Sequence, residues 1–276
     1  REMRGRTGVL HSGHSVYRIA PGEPVREAHA VAAASVTFAA DVTHAEIDAY
    51  VGTGEPLQVA GAFTVDSLGG AFIERVEGDP SSHPVWRDEV AALMATQRLV
   101  GIAREAGKRI HVLHISTKEE IDFLRDHKDV ATCEATPHHL TLAGPEAYER
   151  LGTRAQMNPP VRDASHRDGI WRGIEQGIVD VLGSDHAPHT LEEKDKVYPA
   201  SPSGMTGVQT LVPVMLDHVN AGRLSLLRFV DLTSAGPARL FNIACKGRIA
   251  AGYDADFTVV DMKREETITN KWVASK

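Results

Sequence analysis

Between residues 83 and 260, apolar runs of strand length alternate with amphipathic helical stretches. "VWRDEVAALMATQRLVGIAREAG" (85–107) predicts one long helix ended by Gly107. "KRIHVLHIS" (108–116) predicts a strand, "TKEEIDFLRDH" (117–127) a helix with Thr117 as N-cap, and "VATCEATP" (130–137) a strand. "GPEAYERLG" (144–152) reads as a short helix and "RAQMNPP" (154–160) as a strand stopped by two prolines. "ASHRDGIWRGIEQG" (164–177) is a helix and "IVDVLGSD" (178–185) a strand, followed by helices near 207–220, 225–234 and 236–242 and a last strand, "DADFTVVD" (254–261). Strands that alternate with helices imply parallel βα units. About four such units fit into this stretch, whereas a closed barrel of this kind needs eight.

Residues 1–82 have a different character. They are rich in Gly and Ala, with strands expected near 8–17, 28–38 and 70–76. A helix in "THAEIDAYVGTG" (43–54) starts at a capping box formed by Thr43 and Glu46, and Gly52 or Gly54 ends it. The turn-rich "EGDPSSHP" (77–84) separates the two stretches, which divides the chain into 1–82 and 83–276.

Bulk properties exclude several classes. With 42% apolar and 24% charged residues the chain has enough for a core and no sign of disorder. A net charge of −7 argues against a nucleic-acid or anionic-membrane partner. No apolar run is long enough to span a bilayer, and the basic start is not followed by the apolar core of a signal peptide. The only two cysteines, Cys133 and Cys245, suit a reducing cytoplasm. The chain starts with Arg, which reads as a fragment or a processed product.

In parallel βα folds the reactive groups sit at the C-terminal ends of the strands. Here those ends carry His114, then Glu134 with His138 and His139, then Asn158, then Asp185 with His189. Side chains alternate along a strand, so His111 and His114, three apart, face opposite ways, with His114 in the mouth. His and Asp suit a divalent metal, zinc above all, and an Asp beside a metal-bound water can pass its proton to a leaving amine. Asp185 is the candidate for that acid/base role; its alternative is to cap the turn that follows. Glu134 either supports the site from behind or is a buried structural acid. His138 and His139 take part in the site or order a loop, and Arg162 either binds an anion or pairs with Asp163. Cys133 reads as core packing, and "EEKDK" (192–196) as a solvated loop face.

Several strings resemble one family: "HVLHIST", "PHHLTL", "MNPPVRD", "VDVLGSDHAPHTLEEK", "PSGMTGVQTLVPVML", "PARLFNI" and "KGRIAAGYDADFTVVD". They are similar to the C-terminal half of dihydroorotases, within the amidohydrolase superfamily of metal-dependent barrels, over about residues 77–262. The resemblance implies an α/β fold with a partial (β/α)8 TIM-type barrel, and reversible opening and closing of the cyclic amide of dihydroorotate in pyrimidine synthesis. It implies His114 and Asp185 as zinc ligands, Asp185 also as catalytic acid/base, and Asn158, His189, Ser203 and Gly204 as contacts of the substrate. It implies that the last strand joins a small β-domain built from both chain ends. A homo-oligomer or a partner enzyme of pyrimidine synthesis fits the same resemblance. The family also starts with a strand carrying an H-x-H pair followed by Arg, and no H-x-H occurs in this sequence. The bridging Asp or carboxylated Lys and the next metal-binding His have no counterpart either, so the implied enzyme is incomplete.

"RGRTGVLHSGHSVY" and "VTFAADVTHAEIDAYVGTGEPLQVAGAFTVDSLGGAFIERVEGDPSS" resemble a different family, the C-terminal half of Maf-like nucleotide pyrophosphatases. That resemblance implies hydrolysis of nucleoside triphosphates, with Asp66 as a late pocket residue. The chain thus reads as two half-domains joined within 77–82. The competing functions are another cyclic amidohydrolase such as a hydantoinase, a nucleotide pyrophosphatase carried by the first segment, and a non-catalytic barrel-like subunit.

Overall fold

The computed structural model describes residues 2–18, 26–57, 71–77, 83–198 and 200–275. Asp66 and most of the expected junction, 78–82, lie outside them. The chain divides into two compact units, residues 1–86 with 195–201, and residues 87–194 with 202–276.

In the first unit β1 (Thr7–Arg18), β2 (Arg26–Phe38) and β3 (Ile73–Glu77) form an antiparallel sheet in the order β1-β2-β3. The register pairs Thr7 with Thr37, and their hydroxyls lie 2.8 Å apart. Ala34, Val36 and Phe38 of β2 are buried while Ser35 and Thr37 are half-buried, the two-residue period of a strand with one covered face. Helix α1 (His44–Gly52) begins at the expected capping box: the Glu46 N–H donates to Thr43 Oγ1 and the Thr43 N–H donates to Glu46 Oε2 at 2.8 Å. Helix α2 (His83–Trp86) follows.

The second unit starts with α3 (Glu89–Glu105). The single helix expected over 85–107 is therefore broken, because Asp88 is extended and caps α3, accepting from the Ala91 N–H at 2.7 Å. The Arg162 guanidinium donates to the carbonyls of Arg87 and Asp88, and the Asp88 carbonyl also accepts the Ala92 N–H of α3 at 3.3 Å. Next come β4 (Ile110–Val112), α4 (Lys118–Arg125), β5 (Ala131–Ala135), α5 (Pro137–Thr141), α6 (Glu146–Leu151), α7 (Ala164–Glu175) and β6 (Val181–Leu182). The three strands form a parallel sheet in the order β4-β5-β6. Helices α8 (Leu191–Lys194), α9 (Leu211–Asn220), α10 (Leu226–Val230) and α11 (Gly236–Leu240) complete the unit, with a π turn, Asp231–Ala235, between the last two.

One face of this sheet is packed. Ala131, Cys133 and Ala135 of β5 point into a core that contains Val100 of α3, Ile121 and Leu124 of α4, and Ile170 and Ile174 of α7. Thr132 and Glu134, the alternate residues, point to the other face and are half-buried. Cys133 is fully buried, as expected for core packing, and burial pushes its thiol up to about 12.

Two expected strands do not form. Residues 156–160 are irregular. Their carbonyls are taken by loops and side chains, Gln156 O by the Gly204 N–H at 3.0 Å and Pro159 O by His139 Nε2 at 3.0 Å. Pro159 and Pro160 have no N–H for a ladder. Residues 254–261 are also irregular, with Phe257 63% and Val259 94% exposed. A strand needs a neighbour to pair with, and among the described residues none lies alongside this one. Three parallel strands are described, against the four βα units expected.

Candidate active site

The site is built on the ends of β4 and β6, on either side of β5. The Ile115 N–H donates to Glu134 O at 2.9 Å and the Gly183 N–H donates to Ala135 O at 3.0 Å, which carries the pairing just past both strands. His114 and Asp185 follow at these points. Both are half-buried and both have positive φ, 37° and 41°. Left-handed backbone is uncommon outside glycine, although Asp and His tolerate it better than most, and it concentrates at functional sites.

The segments after β6 fold over one another. The Ala187 N–H donates to Met205 O at 2.9 Å, and His186 Nδ1 accepts from the Gly207 N–H at 3.0 Å. Gly204 has φ 144°, and a Cβ there would sit 2.7 Å from Ala187 O and 3.2 Å from His189 Cδ2. The Gly204 N–H donates to Gln156 O, and Gln156 Nε2 donates to Ser203 Oγ at 3.0 Å. The structure therefore gathers His189, Ser203 and Gly204 beside the segment that presents Asn158, which is exposed. His189 Nδ1 lies 3.8 Å from Glu193 Oε2.

Other candidates have structural posts. His139 is buried between Thr136 Oγ1 (2.8 Å) and Pro159 O (3.0 Å), and burial pushes its pKa down to about 3. His138 donates from Nε2 to Thr206 O at 2.9 Å, and burial lowers its pKa as well. The stretch that carries them is helix α5, with Thr136 as N-cap and Pro137 in its first turn, where a loop was one expectation. Arg162 does not pair with Asp163, which caps α7 through the Ser165 N–H at 2.7 Å; its guanidinium holds the backbone before α3.

His111 lies on the sheet face that carries Thr132 and Glu134. Its Nδ1 lies 2.9 Å from Thr132 Oγ1 and its Nε2 lies 3.3 Å from Glu134 Oε2. Glu134 packs on Gly183, where a Cβ would come within 2.3 Å of its carboxylate. Thus Glu134 sits behind the end of β6 as a partly buried acid with a His partner. A cavity of about 660 Å³, lined by Arg109, His111, Asp180, Arg228 and Phe241, opens near the start of β4 and includes none of the site candidates.

The expected "EEKDK" surface is broken by Lys194, which is 6% exposed and donates to two carbonyls. Sequence reasoning missed it because charge runs are usually solvated. The available signal was its place five residues after His189 in a chain reversal.

The metal expectation meets a limit. Among the described residues, no group of three or more His, Cys, Asp and Glu side chains is placed to hold an ion. His114 and Asp185, the two expected ligands, are one fewer than the three that a catalytic zinc takes from protein. The residues described do not make a complete zinc site.

A parallel sheet flanked by helices, with His, Asp and Asn gathered beyond its strand ends, is the layout of a βα enzyme. The chain belongs to the amidohydrolase family, whose model matches residues 83–276, and residues 1–82 match the model for Maf-like proteins. A dihydroorotase of Methanosphaera stadtmanae is 40% identical over 185 residues, covering 66% of this chain and 42% of the relative. A dihydroorotase of Halobacterium salinarum is 42% identical over 183 residues, covering 66% and 43%. Among solved structures, the L-hydantoinase (dihydropyrimidinase) of Arthrobacter aurescens aligns with a TM-score of 0.57 at 35% identity, over 59% of this chain and 38% of that one. The D-hydantoinase (dihydropyrimidinase) of a Thermus species aligns with 0.60 at 31%, over 64% and 41%. The chain spans less than half the length of these relatives.

Proposed function

We propose that residues 83–276 are part of a (β/α)8 barrel of the dihydroorotase type and that residues 1–82 form a separate Maf-like segment. The reaction is the reversible conversion of dihydroorotate and N-carbamoyl-aspartate. The observation that carries this reading is the gathering of His189, Ser203, Gly204 and the Asn158 segment beyond the strand end that presents Asp185. The 40% identity to a dihydroorotase supports the choice of substrate.

In this reading Asp185 accepts a proton from the attacking water and returns it to the ring nitrogen as the amide opens. Asn158, His189 and the Ser203–Gly204 backbone orient the ring. His114 and Asp185 are two ligands of a zinc site, and the remaining ligands lie in the part of the relatives' length that this chain does not span. No step is assigned to a metal held by this chain alone. A cytoplasmic location is part of the same reading; among the described residues, no helix is long and apolar enough to cross a membrane.

The test replaces residues 1–82 with the part of the Methanosphaera dihydroorotase that the match leaves uncovered. Dihydroorotate formation should appear, and Asp185→Asn should lower turnover by about 10²–10⁴-fold, because the amide cannot take the proton. Activity that survives Asp185→Asn removes the role assignment. Hydantoin and dihydrouracil in the same assay decide between dihydroorotase and hydantoinase, the latter favoured by the aligned structures. A second reading, a non-catalytic subunit, is favoured by the incomplete ligand set. It predicts no turnover in the restored chain and co-purification of a partner enzyme. Pyrophosphate release from nucleoside triphosphates tests the Maf-like segment by itself.

A further inference from the structure

Lys194 is a buried charge that the catalytic reading leaves without a task. Its ammonium donates to Gln156 O and to Pro202 O, each at 2.8 Å. Its backbone is fastened too: Thr153 Oγ1 donates to Lys194 O at 2.6 Å, and the Lys194 N–H donates to Thr190 O at 3.0 Å. One residue thereby joins three segments, and each leads into a proposed substrate contact. Asn158 lies two residues beyond Gln156, His189 precedes Thr190, and Ser203 follows Pro202. Gln156 O is shared, because it also accepts the Gly204 N–H at 3.0 Å.

An alkyl side chain would fill this space without the desolvation cost of an ammonium. Burial is felt by the group, whose pKa is pushed down to about 8. What a hydrocarbon cannot supply is two donors to carbonyls on two different loops. The position is therefore accounted for by the two bonds and not by packing.

We propose that Lys194 is a positioning residue that clasps the substrate-binding segments, holding Asn158, His189 and the Ser203–Gly204 backbone in one arrangement. The identity of the substrate rests on the dihydroorotase reading; the clasp does not.

The test uses the full chain. Lys194→Met keeps the stem and removes the donors. Amide hydrogen exchange compares the Gly204 N–H with the Ile115 N–H, which is bonded within the sheet to Glu134 O at 2.9 Å. Protection at Gly204 should fall at least tenfold while Ile115 stays within twofold. No fall at Gly204, or an equal fall at both, overturns the proposal. A measurement on the unaltered protein covers the case in which the variant does not fold. The Lys194 ammonium should exchange slowly with water and show hydrogen-bond couplings to the carbonyl carbons of Gln156 and Pro202. A fast-exchanging ammonium with the shift of a free lysine overturns it. Titration of the restored chain described above with dihydroorotate then connects clasp to substrate, with affinity at least tenfold weaker when it carries Lys194→Met. Equal affinity in the two proteins overturns that connection. Absence of binding to the restored chain that carries Lys194, with the exchange difference present, rejects the dihydroorotase reading and leaves the clasp standing.

Discussion

At the scale of residues, the two proposed ligands are held in backbone that their side chains do not favour. His114 and Asp185 have φ of 37° and 41°, while glycine enters this region without a Cβ penalty. Asp185→Gly should therefore leave the chain folded and up to about 1 kcal/mol more stable in urea denaturation, even as it removes the proposed acid/base group. A clear loss of stability would show that the Asp185 side chain makes a structural contribution larger than the strain. Buried histidines set the response to acid. His138, His139 and His218 all have pKa values lowered by burial, His139 to about 3. The unfolded chain takes up protons near pH 6.5 that the folded chain refuses. Stability is therefore full above that pH and falls as the pH drops toward the folded values, by about 1.4 kcal/mol per pH unit for each histidine in its window. A melting temperature that declines from pH 7 to 4.5 is the expected result, with a flatter curve for a folded His139→Asn protein. A flat curve in the unaltered chain would contradict the burial of neutral histidines.

At the scale of elements, local signals worked where the chain itself supplies the partner. The α1 capping box was readable because Thr43 and Glu46 satisfy each other's backbone N–H groups, and at α4, where Thr117 was expected as N-cap, the structure adds Glu120 as the second half of such a box. Their contributions differ. The Thr43 box is exposed, whereas Glu120 in the α4 box is 5% exposed and also accepts from Thr96 Oγ1 at 2.8 Å. Thr117→Ala should cost about 1–2 kcal/mol and Thr43→Ala about 0.5–1 kcal/mol by chemical denaturation. Equal costs would mean that burial adds nothing to the α4 cap. Helix α7 approaches α4 through Gly169 and Gly173, where an added Cβ would lie 2.3 Å from Lys118 Cβ and 2.7 Å from Ile121 Cδ1. Nothing in the helical pattern around these glycines announces that approach, since it depends on where α4 lies.

At the scale of the whole molecule, the parallel sheet is open. Among the described residues β4 and β6 each pair with β5 alone, and Leu113 just past β4 is 54% exposed. The tail adds Val259, 94% exposed, and Ile249, 88% exposed. Open edges and apolar surface favour association. The mean mass in sedimentation experiments should rise with concentration, and a monodisperse monomer across a wide range would refute this. The two proposed ligands, His114 and Asp185, carry a parallel expectation about metal. Zinc should be lost on dialysis against a mild chelator, as read by elemental analysis, because two protein ligands are one fewer than a catalytic zinc uses. Zinc retained at one per chain would mean that a third ligand exists.

The sequence by itself determined the alternation of β4, α4, β5, α7 and β6, the Thr43 and Thr117 helix caps, the difference in character between the two parts of the chain, and which titratable residues fall near those strand ends. These are local or periodic properties, set by spacing and by residues within a few positions of one another. Only the tertiary structure decided that residues 156–160 bond to loops and not to a strand, that 254–261 lacks a pairing neighbour among the described residues, that Arg162 holds the start of α3, and that Lys194 turns inward. Each of these depends on which distant carbonyl or strand lies alongside, a relation between residues tens of positions apart that no local pattern encodes.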